Sequence, residues 1–596
     1  GSALGPVARA TDRAPMSDDK KKLTSFKDLA KLRGSPAPEP TEPQPKFKFI
    51  SDFGPERKID DIAEAQARER ISRRPMAFEA MAHGPKVYAD VESEEMQILG
   101  SFRVRTVFPD DVRREVEHLP QDPTEEDKRG RLDLRERCIF TIDGDDAKDY
   151  DDAISIEVLE HGSYEVGVHI ADVAHYVRPE TSLDAEALAR ATSIYLPDQV
   201  VPMLPEELSN HLCSLVEARD RLAYSVFMVF DAAGKRTSSR IAKSVIRSVK
   251  RNTYRVVQEL LDGKDTDETR AIAHLREPLE HFRKWTVRQQ QLRDAKGSMR
   301  MQSRERKFQF DAQGEVTAVV DYPRYFSMAL IEETALAANQ AVGDLFRERG
   351  LPTIYRVHKE KSAEELEAVA KQLEEHGLRV PTKERLTGRD IGRLIRSARK
   401  KPNAEALIQR IMGLIERAVY EVHDHEDVAG HFGLARKAYL HFTSPIRRYP
   451  DLMVHRWLWA LENRPEETAR ELKTLELLDD LNAVAAHSSA QAEVAEMCSF
   501  AVGDLKVCQL MHPHIGEKLK ARVHRVSPPG IEVFLADFNV TGFLPSRAIG
   551  ERVEIKGPTI NIKRGRALLS FTEGYPIAVR LKDVDFLRLQ LMLELV

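Results

Sequence analysis

Thr141 to Ala153 reads TIDGDDAKDYDDA and places Asp143, Asp145, Asp146, Asp149, Asp151 and Asp152 within ten residues. The segments on either side, CIFTI and AISIEV, are apolar or alternate with period two, so the acidic run is a connection between two strands. Like charges about 4 Å apart repel by about 4 kcal/mol at an effective dielectric near 20, so carboxylates this dense call for cations. Hard oxygen donors on a loop suit Mg²⁺, Mn²⁺ or Ca²⁺ better than zinc. An EF-hand loop counted from Asp143 would need Gly sixth and Glu twelfth, where this sequence has Lys148 and Ile154. A solvated acidic turn and a catalytic metal site both stay open on spacing alone.

Working outward, YEVGVHI and RLAYSVFMVF continue the period-two pattern, broken by turn residues such as HGS at 161–163. Residues 243–300 and 326–500 then read as helices. AEELEAVAKQLEEH and EALIQRIMGLIERAVYEV carry apolar residues at three and four spacing. From Gly516 the strand period returns in KLKARVHRV, GIEVFLADF, ERVEIKG, RALLSF and the last apolar run, about 80 residues with the size of an OB barrel. At the other end, residues 1–48 hold a Lys-rich stretch and SPAPEPTEPQPKFKF, which reads as a disordered tail and extended linker. A charged helical pattern from Asp60 to about Ala82 and a short strand in GPKVYADV follow. The chain is therefore expected to be an α+β multidomain protein: a run of strands followed by helices, a C-terminal barrel, and a short, mainly helical N-terminal module.

A second signal is HFTSPIRRYPDLMVHR, His441 to Arg456. Arg447 and Arg448 follow a Pro in a basic loop that leads into a helix. They can pair with nearby acids, or their planar forks can grip phosphate oxygens bidentately. An acidic metal site beside an Arg fork suggests phosphodiester chemistry.

The 596 residues exceed any single small module, and 42% hydrophobic with 31% charged content is a globular composition. A net charge of -5 argues against a histone-like basic exterior while leaving an internal basic groove open. Apolar runs such as Tyr224 to Phe230 fall far short of the roughly 20 residues that span a bilayer, so no membrane association is expected. Gly1 and Ser2 look like an expression scar, and no signal peptide follows. Cys138, Cys213, Cys498 and Cys508 are scattered without CxxC pairs, so a cytoplasmic location is expected.

Both motifs, with TSIYLPDQVVPMLPEELSNHLCSL at 192–215, IEETALAAN at 331–339 and PTIYRVHKEK at 352–361, resemble the ribonuclease II/ribonuclease R (RNB) family of processive 3′-to-5′ exoribonucleases. The likeness runs in family order from about Phe108 to the end of the chain. It implies an RNB catalytic domain of mixed β-sheet surrounded by helices at 108–512 and an S1-like OB barrel at 513–596, after a tail at 1–48 and a module at 49–107 too short for complete cold-shock barrels. Family members usually carry two such barrels, so either a small helical substitute stands there or the N-terminal part is trimmed. The resemblance places the family's four essential acids on Asp143, Asp149, Asp151 and Asp152, as ligands for Mg²⁺ or Mn²⁺. It makes Tyr195 the aromatic that holds the 3′-terminal nucleotide and Phe308 its partner, with Phe310 as a rival. Arg447 corresponds to the phosphate-gripping arginine, and Arg448 supports it. A family glutamate near the end of the catalytic domain aligns ambiguously with Glu493 and Glu496. In the barrel, Phe534, Phe538 and Phe543 can stack on bases or fill the core, and Lys563, Arg564 and Arg566 can track phosphates. The implied partner is single-stranded RNA, cut by a monomer to nucleoside 5′-monophosphates. An RNA-binding adaptor on a degenerate nuclease scaffold is the alternative, although an adaptor has no physical need for a self-repelling acid cluster.

Overall fold

Alternating β-branched and aromatic residues between Leu132 and Arg247 build the central sheet, whose spatial order is β1, β6, β5, β4, β3. These are β1 (Leu132–Asp133), β3 (Asp152–Val158), β4 (Tyr164–Ala171), β5 (Asp220–Phe230) and β6 (Arg236–Arg247). β1 runs parallel to β6 and the other pairs are antiparallel. The computed structural model describes residues 94–596 apart from 297, 299–305, 359–360, 382–385, 424–430, 435, 437 and 551. The expected tail at 1–48, the helical pattern from Asp60 to Ala82 and the GPKVYADV strand lie outside the described residues.

Both faces of β4 and β5 are buried along most of their length. Val166, Val168 and Ile170 are fully covered, and on the opposite side so is His169, which bonds Ser155 at 3.0 Å and Ser225 at 2.7 Å. Burial, then the positive Arg137, holds His169 neutral by lowering its pKa to about 3. Gly167 stands between these groups because a Cβ there would meet Ser155 Oγ at 2.4 Å. Helix α3 (Arg276–Lys296) packs Trp285 on Phe230 and Phe282 on Phe140, while α8 (Tyr449–Asn463) sets His455 edge-on to Tyr224.

Two short parallel strands, β2 (Thr141–Asp143) and β7 (Arg251–Thr253), sit beside the sheet, and the acidic run joins β2 to β3 as its sequence suggested. The helical expectation from 243 is corrected: 243–247 still lies in β6, 251–253 forms β7, and helix begins at Tyr254. Likewise EALIQRIMGLIERAVYEV is not one helix. It ends as α7 (Ala404–Met412), and Ala418–His423 forms β11, paired antiparallel with β10 (Thr353–His358). The helix stops at Gly413, a poor helix former, and the β-branched, aromatic AVYEV segment completes a two-stranded ladder. Between β10 and β11 rises a helical insertion, α5 (Ala363–Glu375), α6 (Gly388–Ala398) and α7, with its own apolar core around Leu373, Ile391 and Leu407.

The 37-residue helix α9 (Leu475–Met511) leads to the C-terminal barrel. The barrel closes with β12 (Lys518–Ser527), β13 (Gly530–Leu535), β14 (Val540–Pro545), β18 (Pro576–Asp585) and β19 (Gln590–Leu595). A barrel of five strands was expected, but two of its members differ. ERVEIKG and RALLSF instead belong to an outlying three-stranded sheet of β15 (Arg552–Lys556), β16 (Thr559–Arg564) and β17 (Ala567–Thr572). β14 carries Gly542 and Pro545, and β18 interleaves charges with its apolar residues, which masked both in the sequence. Aliphatic side chains such as Ile531, Val533, Leu544 and Leu581 fill the barrel, leaving Phe534, Phe538 and Phe543 half-buried.

Candidate active site

The acidic run from the end of β2 to the start of β3 sorts its six carboxylates by burial. Asp151 is buried, Asp143, Asp149 and Asp152 are half-buried, and Asp145 and Asp146 are exposed. Backbone contacts impose this. Ser214 Oγ donates to the Lys148 carbonyl at 2.8 Å and accepts from the Tyr150 N–H at 2.9 Å, while the Leu215 N–H bonds the Tyr150 carbonyl. Arg251 donates to the carbonyls of Gly144 and Asp145, both at 2.9 Å, and Asp146 faces outward to Lys307 Nζ at 2.8 Å.

The inward carboxylates are held in an unfavourable environment. Burial pushes the pKa of Asp143 well above the usual carboxylate range, and the like charges of Asp152 and Asp149 add to the rise, against a smaller opposing pull from Arg251. Burial raises Asp152 to about 6, even against the pull of Arg447 and Arg448. Asp151 is also raised, chiefly by burial, although Arg447 and the Ile446 N–H oppose this. Its Oδ1 accepts from Ile446 N–H at 2.8 Å, and Arg447 Nε stands 3.5 Å from Oδ2. Asp143 Oδ2 and Asp151 Oδ2 are buried and accept no hydrogen bond. Among the described residues, no three His, Cys, Asp or Glu side chains are gathered into a finished metal shell. The two orphaned oxygens, with self-repelling oxygen donors around them, nevertheless fit a hard divalent cation.

The Arg loop is fixed by the start of α8. Arg448 is the residue before the helix, Pro450 lies in its first turn, and buried Asp451 accepts the Ser444 N–H at 2.8 Å. Asp451 also takes the Arg448 fork bidentately, at 3.0 and 2.7 Å, so Arg448 braces the loop. Arg447 donates to Ser444 Oγ at 3.0 Å and its side chain stays 40% exposed, which leaves donors facing outward. Its carbonyl accepts from the Ser193 N–H and the Thr192 hydroxyl, each at 3.1 Å.

That seam delivers Tyr195, which is 43% exposed and donates its hydroxyl to Asp149 at 2.8 Å. Ser499 of α9 donates to the Tyr195 carbonyl at 2.8 Å. One turn further along α9, Gly503 offers a flat surface to Phe308 of strand β8 (Arg306–Phe310): a Cβ at 503 would lie 3.7 Å from the Phe308 ring. Phe310 lies toward Lys506, whose ammonium is 5.8 Å from its centroid. Tyr195 and Phe308 thus stand by one flank of α9, one turn apart. Glu493 and Glu496 both face Arg417, at 3.4 and 3.1 Å.

Sequence reasoning missed Ser214, Arg251, Lys307, Ser499 and Gly503. Ser214 lay inside a quoted motif. The others act across long chain separations, and no local pattern marks them.

An acidic loop on a mixed sheet, an Arg loop at a helix start and an exposed Tyr thus meet at one site. The RNB domain family matches residues 131–464, more than half of the chain. Ribonuclease R of Thermotoga maritima is 36% identical over 439 residues, covering 73% of this chain and 61% of that protein. Ribonuclease R of Vibrio cholerae is 36% identical over 442 residues, covering 73% and 53% respectively. The solved structure of Mycoplasma genitalium RNase R in complex with ribose methylated single-stranded RNA superposes with a TM-score of 0.75 at 25% identity, over 86% of this chain and 79% of that one. The chain belongs to the ribonuclease II/ribonuclease R (RNB) family, and it spans little more than half the length of these two curated relatives.

Proposed function

We propose that the protein is a processive 3′-to-5′ exoribonuclease that hydrolyses single-stranded RNA to nucleoside 5′-monophosphates, with 108–512 as its catalytic domain and 513–596 as an S1-like RNA-binding barrel. The observation that carries this reading is the convergence of four inward carboxylates, Arg447 and Tyr195 on one site. Asp143, Asp149, Asp151 and Asp152 would hold Mg²⁺ or Mn²⁺, which on binding supplies an acidified water and charge neutralisation. Asp151, buried and aligned by Ile446, orients the attacking water and draws its proton. Arg447 binds the non-bridging oxygens of the scissile phosphate, where charge gathers. Arg448 keeps that loop in place through Asp451. Tyr195 stacks on the terminal base and Phe308 on the neighbouring one, a grip that is tolerant of sequence. The half-buried barrel phenylalanines and exposed Lys563, Arg564 and Arg566 extend the track for the incoming strand. The experiment that tests the reading is product analysis on a single-stranded RNA with divalent cation and with chelator: mononucleotide 5′-phosphates released only with the cation support it, and internal fragments contradict it.

Tyr195→Ala is expected to leave most cleavage intact and to lengthen the smallest end product. Processive degradation stops when too few contacts hold the remnant, and one stacked base contributes about 1–3 kcal/mol. A limit digest resolved by nucleotide length checks this, and an unchanged limit product removes Tyr195 from the clamp.

Asp152→Asn is expected to raise the unfolding midpoint by a few degrees in chelator at pH 7.5. A carboxylate whose folded pKa is about 6 binds its proton more tightly when folded. Its ionised form therefore costs stability above pH 6, on the order of 3 kcal/mol at most, and the cost fades as pH falls towards 4. The variant's gain should shrink over the same window. Added Mg²⁺ should stabilise the parent more than the variant. Thermal scans from pH 4 to 8 decide it, and a variant less stable than the parent at pH 7.5 contradicts the assignment.

A further inference from the structure

Glu573 follows β17 directly and is 1% exposed, far from the acidic loop in sequence and unused by the chemistry above. Its carboxylate gathers donors from two bodies. From the helical insertion, Arg410 donates to Oε1 at 2.7 Å and Oε2 at 3.2 Å, Asn403 Nδ2 donates at 2.8 Å, and His376 Nε2 lies at 3.5 Å. From the barrel, the Val526 N–H donates at 3.1 Å. Burial alone would raise the Glu573 pKa, but His376, Arg410 and Asn403 hold it at about 2.

The backbones on either side are equally close. A Cβ on Gly574, whose φ is +88°, would meet Pro402 at 2.6 Å, and one on Gly557, at φ +56°, would meet the Glu375 carbonyl at 2.6 Å. Only glycine permits both the left-handed conformation and that approach. The insertion is tethered at its base by the β10–β11 ladder, and β11 packs on α9; the barrel continues from the end of α9. The Glu573 contact closes the third side of this triangle.

We propose that Glu573 is a positioning residue that locks the barrel and its outlying sheet onto the helical insertion, fixing the direction in which the basic hairpin Lys563 to Arg566 meets RNA. The hairpin and Glu573 stand at opposite ends of β17, six residues or about 20 Å apart, so a small rotation at the carboxylate swings the cations widely. This rests on the RNA-degrading reading above. A buried carboxylate that loses its charge leaves Arg410 unpaired, which loosens the contact from both sides.

The test uses Glu573→Gln and Arg410→Gln in the full chain. Each is expected to raise KM for a 30-nucleotide single strand about tenfold and to flatten its salt dependence, with kcat unchanged. A substrate of about five nucleotides, bound in the catalytic channel alone, should keep both constants. Hydrogen exchange at Val526 and across Ala404–Met412 should rise together. Faster exchange with unchanged KM and salt slope would mean that the carboxylate only stabilises the fold, and unchanged exchange would mean that it locks nothing; either overturns the proposal. Loss of the short-substrate reaction in the parent protein would instead overturn the exoribonuclease reading. Should Glu573→Gln not fold, Arg410→Gln, which keeps the carboxylate and its other donors, carries the same comparison.

Discussion

Replacing Asp151 with Asn is expected to cut hydrolysis about 10³-fold while single-stranded RNA binding persists, since positioned proton transfer typically contributes 10²- to 10⁴-fold. The substitution is close to isosteric. The amide oxygen can still accept the Ile446 N–H now bonded at 2.8 Å, so the loop keeps its shape. What changes is the second oxygen, buried without a hydrogen bond and 3.5 Å from Arg447 Nε. An NH₂ group there offers no lone pair to a water and points a donor at a guanidinium. Tyr195, Phe308 and the barrel are untouched, so affinity measured by filter binding should stay within a few-fold. Undiminished turnover with Mg²⁺ saturating would remove Asp151 from the mechanism.

Arg447→Lys is expected to lower kcat about 10²-fold with a much smaller loss of affinity, because removing one donor from a developing oxyanion typically costs 10²- to 10³-fold. Lysine keeps the charge and loses the fork. It cannot donate to Ser444 Oγ and stand beside Asp151 while presenting further N–H groups to phosphate, as the guanidinium can. The backbone seam to Thr192 and Ser193 uses the residue 447 carbonyl and survives the change. Single-turnover kinetics separates the chemical step from binding. A variant with unaltered kcat and raised KM would make Arg447 a binding group only.

The acidic loop was legible because its information is local: charge density between two period-two segments leaves little alternative to a strand connection. Which acids turn inward was not legible from spacing, because Ser214, Arg251 and Lys307 decide it from distant parts of the chain. The Arg pair shows the same limit. Both are alike in sequence, yet Asp451, three residues beyond Arg448, takes that fork and leaves Arg447 the outward one. The strand at Ala418–His423 was read as helix because apolar three and four spacing ran into it from α7, and its pairing partner lies on the far side of the insertion. In the barrel the apolar pattern located five strands' worth of sequence but could not separate barrel staves from the outlying sheet, which alternates just as well.

The most direct test of the account is a time course on a 5′-labelled single-stranded RNA of about 30 nucleotides, with Mg²⁺ and with chelator. With Mg²⁺, label should pass from full length to one short limit product with few intermediates, and with chelator it should stay full length. Early release of labelled mononucleotide, labelled internal fragments, or intact RNA that is bound but never shortened with Mg²⁺ present would contradict a processive 3′-to-5′ exoribonuclease.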